Sequence, residues 1–102
     1  MKKRKGVLRE GDYQEYLLES LKEPKAAAAY LEAAIEEKDL KFLLVAMRNV
    51  VEANGGMTKV AKKANVSRPT LYRTLSEKGN PRFDNLTNLL DIFGLRIAIQ
   101  AK

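Results

Sequence analysis

The residues with the clearest chemical potential lie in the short stretch "VSRPTLYRTL" in the second half of the chain. It places Arg68 and Arg73 five positions apart with Thr70 between them, and the first acidic residue after Met57 is Glu77. An arginine guanidinium can donate two hydrogen bonds to the edge of a guanine, and threonine can meet a thymine methyl group or a base edge. This pattern indicates recognition of DNA bases rather than the making or breaking of bonds.

The composition argues against catalysis. Histidine and cysteine are both absent, so the usual zinc ligand sets, disulfides, the commonest general base and the thiol nucleophile are missing together. We therefore expect no enzymatic activity, no bound metal and no cofactor. No apolar run approaches the roughly 20 residues of a membrane span, and no signal-peptide core follows the basic N-terminus, so we expect a cytoplasmic protein without membrane contact.

The net charge of +6 is distributed unevenly. Residues 1–10 contain five Lys/Arg and one Glu, residues 11–56 contain five Lys/Arg and nine Asp/Glu, and residues 57–102 contain nine Lys/Arg and three Asp/Glu. A basic C-terminal half favours a polyanionic partner, and the acidic centre favours a different one. A basic surface that only keeps the protein in solution remains the alternative.

Helical periodicity predicts an all-α fold of one domain with an N-terminal extension. We expect a basic flexible tail at 1–10, an N-terminal helical arm at 11–38 and a helix-turn-helix domain at 39–102. Asp12 and Glu15 look like a capping box that opens a first helix, with Tyr13, Tyr16, Leu17 and Leu21 on one side.

The following helices have local start and stop signals. Pro24 suits the first turn of a second helix that runs to about Lys38, and Asp39 can cap a third helix that ends at the "NGG" of residues 54–56. Phe42 and Val45 fall outside the main apolar stripe of this third helix, so we expect it to be covered on two sides.

The C-terminal region predicts one more helix, from about Phe83 to Phe93, stopped by Gly94. Residues 95–99 then alternate apolar and polar side chains, which predicts a short strand. A lone strand leaves its edges unpaired, so it could pair with the same strand of a second subunit. A last helical turn or a frayed end is the alternative.

Between these regions, residues 57–75 predict two short helices joined by a tight turn. Ala61 and Ala64 are small enough for two helices to cross closely, and Asn65 tolerates the left-handed conformation that such a turn needs. Ser67 is the expected N-cap of the second helix, Val66 and Leu71 a hydrophobic staple, and Pro69 fits the first turn. With Leu71 and Leu75 inward, the outer side of this helix includes Arg73.

A helix that enters the major groove presents its N-terminal residues to base edges. The predicted base-reading residues are Arg68, Pro69, Thr70 and Arg73. Residues near helix starts are predicted to contact the DNA backbone; these are Thr58, Lys59, Lys62, Ser67, Tyr72, Arg82 and Asn85. The alternative to DNA contact, for each arginine, is that it is an ordinary solvated surface residue. For Ser67 the alternative is that it only caps the helix.

The stretch "VAKKANVSRPTLYRTLSEKGNPRFDNLTNLLDIFGL" resembles the lambda-repressor-like (Xre/Cro-type) helix-turn-helix family, with Asn65 where that family usually has glycine. The region from Asp12 to Ile99, and "LYRTLSEKGNP" above all, is similar to the narrower group of addiction-module antidote proteins, which are HigA-like antitoxins. The resemblance implies an antitoxin that neutralises a RelE/HigB-like toxin. It also implies a homodimer that represses its own operon at a palindromic double-stranded DNA operator.

Three hypotheses follow: an antitoxin, a stand-alone prophage-type repressor without a toxin partner, and a protein-interaction module whose helix pair no longer reads DNA. RelE-like toxins are typically basic, so acidic helix surfaces in residues 11–56 are the expected docking region. The residues predicted for toxin binding are Glu15, Glu19, Glu32, Glu36 and Glu37. The alternative is that these glutamates are ordinary solvent-exposed charges, since helix surfaces of any soluble protein have similar acidic residues.

Overall fold

A computed structural model describes residues 10–76 and 78–102, and this part of the chain is all-helical with no strand. Its six helices are α1 (Glu10–Ser20), α2 (Pro24–Glu36), α3 (Leu40–Ala53), α4 (Met57–Ala64), α5 (Arg68–Thr74) and α6 (Phe83–Ile92). No helix within these residues is long and apolar enough to cross a membrane. The tail predicted for residues 1–10 lies outside the described residues, except for Glu10, where α1 begins.

Helix α3 is the centre of the hydrophobic core. Leu44, Met47, Val50 and Val51 on this helix are at most 1% exposed. Helices α1, α2 and α4 each pack against α3, whereas α5 and α6 pack against α4. The all-helical bundle that the sequence predicted is therefore present, with α3 as its shared support.

Helices α1, α2 and α4 all cover parts of α3, but Phe42 and Val45, from which the second covered side was predicted, are not buried. Phe42 is 55% exposed and Val45 is 45% exposed. Residues at positions 42, 45 and 49 lie on one side of the helix, since neighbours on a helix surface are three and four residues apart. Helix α1 contacts this side at Asn49, where the Gln14 amide donates a hydrogen bond of 3.2 Å to the Asn49 side-chain carbonyl. The side chains of Phe42 and Val45 remain exposed to solvent.

The start of α1 differs from the prediction, and the four residues predicted on one side of it divide between the core and the solvent. Asp12 lies inside the helix, so the predicted capping box at Asp12 is wrong. Tyr13 and Tyr16 are 58% and 66% exposed, and Leu21 is buried at 2% exposure, with Leu17 and Leu18 packed against the core. Leucine has no polar end to keep in water, whereas tyrosine can leave its hydroxyl solvated, and this difference favours the leucine side for burial.

The other helix ends follow their local signals. Pro24 occupies the first turn of α2, and the Asp39 carboxylate caps α3 by accepting a hydrogen bond of 2.9 Å from the Lys41 N–H. After α3 the chain turns through Gly55 and Gly56, with φ of 109° and 94°. Other residues adopt this region only at a cost, which explains why two glycines separate α3 from α4.

The strand predicted for residues 95–99 is not formed: residues 95–102 have no regular structure. Gly94 ends α6 with φ of 80°, as predicted, and the Leu95 N–H donates to the Leu90 carbonyl at 2.8 Å. Beyond this turn Ile97 and Ile99 are 48% and 94% exposed. The described residues of the chain contain no second strand with which this segment could pair, so its alternating pattern alone does not produce a strand.

Asn49 joins the N-terminal helices to α3 through a polar bridge. Its side-chain N–H donates to the Tyr30 hydroxyl of α2 at 2.8 Å, and its carbonyl accepts the bond from Gln14 of α1. The residue is half-buried, so both bonds are partly shielded from water.

We expect Asn49→Ala to lower the free energy of unfolding by about 1–2 kcal/mol, because two hydrogen bonds are lost and Tyr30 keeps a partly buried, unpaired hydroxyl. Urea denaturation followed by circular dichroism measures this change. Gln14→Ala is the control, since it removes only the exposed bond and should cost less than about 0.5 kcal/mol. Equal effects of the two variants would contradict the bridging role of Asn49.

Candidate nucleic-acid interface

Helices α4 and α5 form a tightly joined pair. Asn65 ends α4 in the left-handed conformation, with φ of 60° and ψ of 42°, as its position in the sequence predicted. The Val66 N–H donates to the Ala61 carbonyl at 3.0 Å, which fixes the turn. Ala61 and Ala64 are 2% and 8% exposed, so small side chains lie where the two helices come together.

Ser67 is the N-cap of α5, as predicted. Its hydroxyl oxygen accepts a hydrogen bond of 3.1 Å from the Thr70 N–H, and the hydroxyl donates to Thr70 Oγ1 at 2.8 Å. Pro69 occupies the first turn, where its missing N–H leaves no bond unmade. The capping geometry accounts for both hydroxyls, so neither Ser67 nor Thr70 presents a wholly free polar group.

The two sides of α5 differ in the way the helical spacing predicted. Leu71 and Leu75 are 2% and 0% exposed and join the core. The exposed residues of this segment are Arg68, Pro69, Tyr72 and Arg73, and Thr70 is half-buried. The helix therefore forms a ridge whose outer edge contains basic and apolar side chains.

Two contacts from other helices hold this helix pair in place, and sequence reasoning missed both. The Arg48 guanidinium of α3 donates a hydrogen bond to the Leu75 carbonyl at the end of α5, and the Asn88 amide of α6 donates to the Ala64 carbonyl at 3.4 Å. Helix ends have carbonyls without intrahelical partners, and a cation there is favourable. The sequence signal for the first contact is Arg48, a charged residue inside the mostly apolar stretch "LLVAMRNVV" of α3.

An open groove of about 740 Å³ runs along the α3 side of α5. It brings together Thr58, Arg68 and Tyr72, three residues predicted to contact DNA, at the N-terminus of α4. Arg48 of α3 also lines it, and so does Glu52, the one acidic residue among its described lining residues. An anion in this groove would meet two guanidinium groups, two hydroxyls and the unpaired N–H groups of a helix start.

The remaining predicted residues are dispersed around α5. Thr70 and Asn85 line a small recess of about 50 Å³ between α5 and α6. Lys59 and Lys62 are exposed on α4 and line neither cavity. Arg73 is also exposed and outside both, which leaves it on the outer ridge of α5.

Arg82, predicted to contact the DNA backbone, is bonded to a neighbouring acid. Its guanidinium donates to both oxygens of Asp84, at 3.1 Å and 3.2 Å. This hydrogen-bonded pairing lowers the pKa of the Asp84 carboxyl and raises the pKa of Arg82. Because the pair is exposed to solvent it is weak, and a phosphate could replace the carboxylate as the partner of Arg82.

Arg68 and Arg73, by contrast, make no ion pair or hydrogen bond through their guanidinium groups within residues 10–76 and 78–102. Both side chains are exposed. Two unpaired guanidinium groups on one short, capped helix are therefore available to an external acceptor.

The residues predicted for toxin binding lie on the two N-terminal helices and the turn after α2. All five are exposed: Glu15, Glu19, Glu32, Glu36 and Glu37. Glu19 forms an exposed ion pair of 3.0 Å with Lys22. The acidic helix α1 packs against α3 and the basic α5 packs against α4, so the two charged regions belong to different parts of the bundle.

We expect Ser67→Ala to lower the free energy of unfolding by about 1 kcal/mol, because the first turn of α5 loses its cap. Ser67→Asp should retain most of that stability, since aspartate also accepts a hydrogen bond at an N-cap. Thermal unfolding of the two variants beside the original chain tests this. Loss of stability in both variants would show that the hydroxyl acts through something other than capping.

Comparison with known proteins identifies a family to which the sequence is similar. The sequence model of the family described as "probable addiction module antidote protein" matches residues 12–101. An uncharacterised protein of Haemophilus influenzae strain Rd is 30% identical over 71 residues, which cover 70% of this chain and 72% of that protein. No solved structure gives a significant match. Because the family match spans nearly the whole chain, the protein belongs to the family of probable addiction module antidote proteins.

Proposed function

We propose that this protein is the cytoplasmic antitoxin of a type II toxin–antitoxin module, which represses its own operon by binding DNA and neutralises a RelE/HigB-like toxin. Membership of the antidote family supports the antitoxin function and implies a toxin partner. The DNA-binding function rests on one observation: α5 is capped, anchored and exposed, and its Arg68 and Arg73 side chains have no partner among residues 10–76 and 78–102.

The dimensions of α5 fit a lambda-repressor-like recognition helix. An α-helix with its side chains is about 10–12 Å across, which fits a major groove about 12 Å wide, and the seven residues of α5 would extend about 10 Å along it. Arg73 on the outer ridge is the proposed reader of a guanine, and Arg68 at the N-terminal end is the second. Pro69 and Thr70 lie beside them, with Thr70 restricted by its bond to Ser67.

The groove on the α3 side of α5 is the proposed site for one DNA phosphate. Thr58, Arg68 and Tyr72 converge there at the start of α4, and Lys59 and Lys62 add positive charge nearby. On the other side of α5, Arg82 and Asn85 lie at the start of α6 and are proposed to hold a second phosphate. Contacts of this kind fix the position of a recognition helix without reading sequence.

A palindromic operator requires two recognition helices related by a two-fold axis, so we propose that the protein acts as a homodimer. The exposed side chains of Ile97 and Ile99 after α6 are the proposed subunit contact. A stand-alone repressor would have the same DNA-binding helix, and the family match favours the antitoxin over it. A toxin reading frame adjacent to this gene is expected for the antitoxin and not for the repressor.

Operator binding should weaken steeply with salt. If six phosphates are neutralised, the logarithm of the association constant should fall with the logarithm of salt concentration with a slope of about −5. Fluorescence anisotropy with a labelled fragment of the gene's own promoter, across a salt series, measures this slope. A flat response would rule out the proposed electrostatic contacts.

Arg73→Ala should weaken binding to the cognate operator by roughly 1–3 kcal/mol and reduce discrimination against a changed base pair. Lys25→Ala is the charge-matched control, because Lys25 is exposed on α2, which packs on α3, and its loss changes the net charge equally. Affinity measurements on operators with single base-pair changes test both variants. If the two variants lose affinity equally and uniformly across sequences, Arg73 contributes charge only and reads no base.

A further inference from the structure

Helix α3 has an apolar surface that the fold leaves uncovered. Phe42 and Val45 are 55% and 45% exposed, and they lie on the same side of α3 as Asn49. Asn49 is occupied by its bonds to Gln14 and Tyr30, whereas no helix of the described chain buries the two apolar residues nearer the start of α3.

The N-terminal half of α1 lies beside this surface. The hydrogen bond between Gln14 and Asn49 brings α1 against α3 one turn away from Val45. Tyr13 and Tyr16, on either side of Gln14 in the sequence, are 58% and 66% exposed. Three aromatic side chains and a valine are thus exposed along these two packed helices: Phe42 and Val45 near the start of α3, and Tyr13 and Tyr16 on α1, where Tyr16 lines a recess with Glu52 and Ala53 at the end of α3. We name Tyr13, Tyr16, Phe42 and Val45 the α1–α3 surface.

Among residues 10–76 and 78–102, the charge around the α1–α3 surface is acidic, although the whole chain has a net charge of +6. Helix α1 has the sequence EGDYQEYLLES, with four carboxylates and no lysine or arginine. The turn between α2 and α3 adds Glu37 and Asp39, opposed by Lys38 and Lys41. An aromatic centre with acidic groups on its α1 edge is suited to a partner protein whose contact surface is basic with apolar recesses.

We propose that the α1–α3 surface is the toxin-docking site, with Phe42 and the two tyrosines as the anchoring side chains and the carboxylates of α1 as the charged rim. This inference rests on the proposed function, because it takes the partner to be the toxin. Large aromatic residues that become fully covered contribute most to protein–protein binding, and rim charges mainly accelerate and orient the encounter.

The α1–α3 surface does not include the proposed DNA-binding helix, and the two regions meet at Glu52, which lines both the groove beside α5 and the recess beside Tyr16. Its residues belong to α1 and α3, whereas Arg68 and Arg73 belong to α5, which packs on α4. The acidic α1 would be repelled by phosphates, so DNA is not the expected occupant. Variants of the surface should therefore lose toxin binding and keep operator binding.

The test uses the full chain, the purified product of the adjacent toxin gene, and isothermal titration calorimetry. Phe42→Ser is expected to weaken toxin binding at least tenfold, as for an anchor residue whose truncation costs more than about 1.4 kcal/mol. Phe83→Ser is the matched control, because Phe83 is 69% exposed on α6 and should leave toxin affinity unchanged. Tyr16→Ala is a second variant in the surface, and it should also weaken binding.

The outcomes separate this inference from the proposed function. If the original chain does not bind the toxin at all, the antitoxin proposal fails and the docking site fails with it. If the original chain binds and both Phe42→Ser and Tyr16→Ala bind equally well, the docking site is wrong and the antitoxin proposal stands. If Phe42→Ser instead turns a dimer into a monomer with toxin affinity unchanged, the surface joins two copies of this chain and the inference is overturned. Operator binding by each variant verifies its fold.

Discussion

The anchoring of α5 to the rest of the bundle is the interaction on which the proposed DNA-binding surface depends. A seven-residue helix is far below the length at which an isolated helix is stable in water. Leu71 and Leu75 bury its inner side, and Arg48 of α3 bonds the carbonyl of Leu75 at its end. With the cap at Ser67, these contacts fix both ends and one side of the helix, so its outer side can remain basic and exposed.

The separation of charge gives the described part of the molecule two regions of opposite charge in one small fold. From residue 11 onward, carboxylates dominate up to residue 56, and lysines and arginines dominate from α4 to the last residue. Opposite charges at close range would pair with each other, as Arg82 does with Asp84 and Lys22 with Glu19. Arg68 and Arg73 escape such pairing within the described residues, because α1 and α2 are held on α3 by Asn49 and its partners.

Much of the local structure could be predicted from short sequence patterns, because those patterns act through bonds within a few residues. Asp39 and Ser67 cap their helices through their own side chains, and Asn65 and Gly94 adopt the positive φ that their positions require. Leu71 and Leu75 are buried because they are four residues apart on a helix with one apolar side. The exposed positions of Arg68 and Arg73 follow from the same periodicity.

Features that depend on distant contacts could not be predicted in the same way. Packing against α3 decided which side of α1 is buried. The leucines of α1 pack on the core, and Tyr13 and Tyr16 stay exposed. The bond from Arg48 to Leu75 and the openness of Phe42 and Val45 likewise depend on how helices far apart in sequence are arranged. The sequence by itself determined the helix pair, its turn and its basic ridge, since these need only local bonds and periodicity. Only the tertiary structure decided which surfaces remain uncovered, because coverage depends on which helices pack against each other.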